Sequence, residues 1–183
     1  MRELPTEARA LLDLWFAPAT EPLWFRPDPA FDRLLAERFG ALVERAASGA
    51  CDGWLEHPEG ALALVLLLDQ LPRNIYRGTP RAYAFDAKAR ALARAALARG
   101  HDRAVPERAR LFFYLPFEHS EDIADQDLAV ELCRPLGGAA LAYAERHREV
   151  IRRFGRFPHR NAILGRPSTP EEEAFLREPG SSF

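Results

Sequence analysis

The chain has 183 residues, 48% hydrophobic and 28% charged, a length and balance that suit one globular domain, or two halves of one helical array, and exclude a disordered chain. Its formal net charge of −2 argues against the broad basic face of a nucleic-acid binder. Cys51 and Cys133 fall in neither a C-x-x-C nor a zinc pattern, which points to reduced thiols in a cytoplasmic protein with no structural metal and no cofactor.

The opening MRELPTEARALLDLWF lacks the basic and then apolar order of a secretion signal. The longest apolar run, Ala61 to Leu68, is far short of the roughly 20 residues of a membrane span. In Thr6 to Phe16, Ala8, Leu11, Leu12 and Trp15 form the stripe of an amphipathic helix. Pro18, Pro22, Pro27 and Pro29 forbid a long helix after it, and Trp24 and Phe25 are expected to pin that loop down. Asp28 as N-cap and Pro29 in the first turn then start a helix that ends at Gly49.

Pro58 opens PEGALALVLLLDQ, apolar enough to be buried nearly all round. At its end, Asp69 with Arg73 and Gln70 with Asn74 would form two facing polar pairs, and Pro72 is expected to end or kink the helix just before them. Thr79 and Pro80 open a helix to Gly100, and Pro106 opens another that Pro116 is expected to break. Ser120 is expected to cap an acidic helix with Glu121 and Asp122 in its first turn. A helix runs from Leu141 to Phe154, Pro158 opens the short PHRNAIL, and Thr169 with Glu172 makes a capping box for a last helix. With no strand in the pattern, the expectation is a single all-α domain over residues 1–183, an antiparallel helix-pair array of about eight helices.

Charge is segregated along this series. Arginines 146, 148, 152, 153, 156, 160 and 166 face the single acid Glu149, whereas the stretch from Phe117 to Glu131 carries acids 118, 121, 122, 125, 127 and 131 and no base. The two blocks are expected to meet, with an arginine among 152 to 160 paired to Glu118, Glu121, Asp122 or Asp125. Lys88 is the one lysine among 25 basic residues, so an arginine alone says little about phosphate recognition.

Taken in order, LDLWF, LLLDQLPRNIYRGTPRAYAFD, FFYLPFEHSEDIADQ, RFGRFPHRNAILGR, TPEEEAFL and GSSF resemble a bacterial family known as domain of unknown function 924. The resemblance spans nearly the whole chain and implies an all-helical fold similar to tetratricopeptide arrays. It implies no activity, cofactor or catalytic residue, and peptide binding follows from that fold only by analogy.

Two constellations carry chemistry. His119 and Asp122 would share a helical face as a base–carboxylate pair, with Glu118 and Asp125 beside them and His147, His159 or Asp69 as the donors a metal would need from other helices. His159, Arg160 and Asn161 follow a first-turn proline, where helix N–H groups and side chains suit an anion. These join Asp69, Gln70, Arg73, Asn74 and Arg156 in one expected polar groove. Three readings stay open: a binding module for a small anionic molecule or acidic peptide end, a hydrolase or lyase using His119 or His159 with Glu118 or Asp122, and a structural salt-bridge network. The terminal Phe183 is expected to dock in a greasy, cationic pocket.

Overall fold

A computed structural model describes residues 3–182, all of whose regular structure is helical. The chain divides into two compact units, Met1–Arg77 with Arg81–Pro116, and Gly78–Pro80 with Phe117–Phe183. The expected docking of Phe183 lies outside the described residues.

The first unit holds α1 (Thr6–Trp15), α2 (Pro29–Ala47), α3 (Pro58–Val65), α4 (Leu71–Ile75), α5 (Asp86–Ala98), α6 (His101–Ala104) and most of α7 (Glu107–Glu118). The α1 stripe turns Ala8, Leu11 and Trp15 inward. Asp28 caps α2 by accepting the Ala30 and Phe31 N–H groups. Trp24 pins the proline loop, its indole N–H donating to the Trp15 carbonyl at 2.7 Å while its ring meets Phe112 edge-on. Phe25, 64% exposed, stacks on the outer side of Phe112.

The buried rod departs from expectation. Pro72 does not end it; α3 passes through a π-helical turn, Leu66–Gln70, and continues as α4 to Ile75. A π turn closes on the fifth residue rather than the fourth, and here Leu71 N–H reaches the Leu66 carbonyl. This widened turn lets Pro72, which has no N–H, follow without stopping the helix. Pro116 likewise lies inside α7 rather than breaking it, in a helix whose Phe112, Phe113 and Phe117 side chains are fully buried. The apolar burial of those rings offsets the proline's cost of roughly 3 kcal/mol.

The second unit holds α8 (Ile123–Cys133) packed on α9 (Gly138–Phe154), then a 3-10 turn (Pro158–Arg160), α10 (Asn161–Leu164) and α11 (Pro170–Leu176). Val150, Ile151 and Phe157 form its apolar cluster, flanked by Phe154 and Phe175. Gly155 and Gly165 stop α9 and α10 with positive φ, as a C-terminal glycine does. The Thr169–Glu172 capping box of α11 is present in both directions. Among the described residues no helix is long and apolar enough to cross a membrane.

Candidate functional site

The residues of the expected groove fall into three clusters, one in the first unit and two in the second. At the π turn, Asp69 is fully buried and accepts a hydrogen bond from the Gln70 amide at 2.7 Å. Arg73 donates to the Asp69 carbonyl at 2.8 Å, lies 3.6 Å from the Asp69 carboxylate and clamps Asp86 with two bonds of 2.8 and 2.9 Å. Burial works against the Arg73 charge, but Asp69 and Asp86 outweigh it and raise the guanidinium's pKa. The Asp69–Arg73 pair therefore exists, whereas Gln70 and Asn74 part company. Asn74 donates instead to Asp32 at 2.8 Å, the carboxylate that Arg77 also grips. Gln70 is taken by Asp69 and Asn74 by Asp32, so the expected pair gives way to two separate carboxylate contacts.

In the second unit, Glu172 is 2% exposed and gathers Arg156 (2.6 and 2.8 Å), Asn161 (3.2 Å) and the Thr169 N–H (2.8 Å). The Arg156 bonds, ahead of an opposing burial effect, hold its carboxyl down at about 2. Asn161 passes the network on, accepting from Arg166, whose guanidinium takes Glu121 at 2.8 and 2.9 Å. Glu121 also accepts the Phe157 N–H at 2.8 Å. Burial would raise the Glu121 pKa, but Arg166 and that N–H lower it. Arg148 and Arg152 meet Asp127 at 3.2 and 3.3 Å. The acidic and basic blocks do contact each other, with Arg166 clamping Glu121 and Arg148 and Arg152 meeting Asp127.

The third cluster surrounds the Phe157 ring. Helix α7 ends at Glu118, so His119 and Asp122 share no helical face. Asp122, not Ser120, is the N-cap of α8, accepting the Ala124 N–H at 2.8 Å. Ser120 accepts the Asp122 N–H and donates to Asp125 at 2.7 Å. Gln126, fully buried, donates to the carbonyls of Glu118 and Ser120, both at 2.6 Å, and so holds the turn that presents His119.

Three imidazoles collect there. His147 packs edge-on to Phe157 at 5.7 Å, His159 tilts against the same ring at 5.7 Å, and His119 lies 6.3 Å from His147. The Arg160 guanidinium sits 4.6 Å from the Phe157 centroid. His147 is 6% exposed. Burial pushes its pKa down to about 3, and the charges of His119, Arg160 and His159 add to the fall. The ring is therefore neutral, and because a carbonyl only accepts, its Nδ1–H donates to Tyr143 at 2.8 Å. That nitrogen lies 3.6 Å from the buried Glu118 carboxylate, to which the Cys133 thiol donates at 3.4 Å. Burial and Glu118 raise the Cys133 pKa, so the thiol stays protonated and unreactive. Among the described residues no group of three or more His, Cys, Asp or Glu side chains is placed to hold a metal ion.

Of the sequence candidates, then, Glu118, His119, His159 and Arg160 come together; Arg156 and Asn161 join Glu172; Asp69, Gln70 and Arg73 join Asp86; Asn74 goes to Asp32, and Asp122 caps a helix. His147 was visible in the sequence as a polar residue on the apolar side of α9 and as a possible metal donor, and Glu172 only as half of a capping box.

The model of a family described as bacterial protein of unknown function (DUF924) matches residues 11–180. The chain belongs to this family. A solved structure of a protein of unknown function from Agrobacterium tumefaciens is 52% identical to the family member described here, covering 93% of this chain and 96% of that one with a TM-score of 0.90. None of the curated proteins compared with the chain matches it.

Proposed function

We propose that this family member is a binding module that receives a small anion, a carboxylate or phosphate, at the imidazole edge beside Phe157. One observation carries the reading: in the cluster of three histidines, Arg160 and Glu118, only His119 and His159 are half-exposed, while Glu118, His147 and Arg160 are buried. Water thus meets imidazole, backed by a buried guanidinium, and not the carboxylate. An imidazole attracts an anion by charge only when protonated, so anion affinity should rise on acidification.

The test follows the histidine ring signals by NMR while inorganic phosphate or acetate is added at pH 6 and at pH 8. Binding at least about fivefold tighter at pH 6, lost in H119Q/H159Q, supports the reading; equal affinity at both pH values, or none at pH 6, overturns it.

A second reading, hydrolase or lyase chemistry with His119 or His159 as base, draws on the same half-exposure and is separated by turnover of a model ester or phosphoester that H119Q or H159Q abolishes. A third, a structural network, draws on the protein partners that already occupy Arg73, Arg156 and Asn161. It is favoured if both substitutions change only stability.

A further inference from the structure

A cleft of about 310 Å³ opens in the first unit, bounded by α1, the start of α3 and the start of α7. Its volume is at the small end of the range for small-molecule sites. The walls are apolar, from Leu12, Phe16, Leu62, Val105 and Ala109. Leu62 and Ala109 are nearly fully buried, and Phe16 is half-buried beside Phe112. The charged rim consists of Asp13, Glu59 and Arg108.

These three charges differ in one respect. The Arg108 guanidinium is already committed, 5.5 Å over the Phe16 ring and paired with Glu21 at 2.5 Å. It is neutralised within the protein. Asp13 and Glu59 are exposed, and neither takes part in an ion pair or side-chain hydrogen bond among the described residues. An apolar pocket whose remaining rim charge is two open carboxylates complements an apolar body with a cationic head. The seat of Arg108 over Phe16 shows that the same wall accommodates a cation.

We propose that this cleft binds small aliphatic or aromatic amines, the hydrocarbon part against Leu12, Leu62, Val105 and Ala109 and the ammonium group between Asp13 and Glu59. An anion is disfavoured by the same carboxylates, and a neutral alcohol gains only the apolar contact. Charge complementarity therefore sets the selectivity, and the apolar walls set the chain length.

The experiment uses the full chain and three probes with one six-carbon tail: hexylamine, hexanol and hexanoate. Methyl NMR signals of Leu12, Leu62, Val105 and Ala109 report occupancy of the cleft. The expected result is saturable binding of hexylamine about fivefold tighter than hexanol, with hexanoate weakest, and near parity of amine and alcohol in D13N/E59Q. Both substituted side chains are exposed, and the variant's unchanged fold is checked by the remaining methyl signals. The proposal is overturned if hexylamine leaves those methyls unmoved, if hexanol or hexanoate binds as tightly, or if D13N/E59Q keeps the preference for the amine.

Discussion

Burial makes the protonation of His147 oppose folding. Its pKa near 3 lies below the ordinary 6.5, so between these values the unfolded chain binds a proton that the folded chain refuses. Folding stability therefore falls as pH drops from about 6.5 toward 3. Glu172 acts in the same direction over a lower range. With its folded value at about 2 against an ordinary 4.5, its contribution is complete above about pH 5 and fades as the pH falls to 2. Denaturant melts of H147Q between pH 7 and 4 should show a shallower loss than the unmodified chain. E172Q should lose about 2 kcal/mol at pH 7 and shed most of its difference from the unmodified chain near pH 2. Neither role was readable from spacing. Arg156 and Glu172 are separated by a loop, a 3-10 turn and α10, and Arg73 finds Asp86 across a turn that sequence alone does not close.

At the scale of elements, periodicity and caps located nearly every helix, because apolar stripes and the residues Asp28 and Thr169 act locally. Expectations fail mainly at prolines: Pro80 opens only a 3-10 turn, the α-helix after it starting at Asp86, and two other prolines lie within helices. Pro72 follows a π turn and Pro116 lies inside a helix with buried phenylalanines, and both helices run on. The overrun at Pro116 then moved the acidic helix's start from Ser120 to Asp122, and the His119–Asp122 face vanished with it. Close packing is also illegible at Gly60. In a helix, Gly to Ala ordinarily stabilises by up to about 1 kcal/mol, yet a Cβ here would run into the Trp54 carbonyl oxygen of the 3-10 turn Asp52–Glu56. Backbone cannot swing aside as a flexible side chain can. G60A should therefore lower stability by about 1–3 kcal/mol, measured by urea denaturation, whereas a stabilised G60A would mean that the turn yields.

For the whole molecule, the segregation of charge along the sequence becomes intelligible once both blocks are seen to lie in the second unit. Acids from the α7–α8 turn and α8 meet arginines from α9 and from the loop after α10. The count of charges revealed that they meet, but not which pairs matter, since exposure separates them. Asp127 and Arg152 are about half exposed, at 50% and 49%, and such pairs give only about 0.2–1 kcal/mol. Glu121 and Arg166, at 29% and 24%, form a two-bond clamp that also holds the Phe157 N–H and so orients the ring on which the imidazoles rest. D127N should cost under about 1 kcal/mol in low salt, and added salt at about 0.5 M should erase most of that by screening. E121Q should cost about 2 kcal/mol and keep most of its effect in the same salt, because screening ions reach a partly buried clamp poorly. Guanidinium would itself screen the charges, so the comparison requires urea melts. Equal salt sensitivity of the two variants would show that the clamp contributes no more than an open surface pair, and the Phe157 platform would then owe its position to its other contacts, apolar packing with Val150 and Ile151 among them.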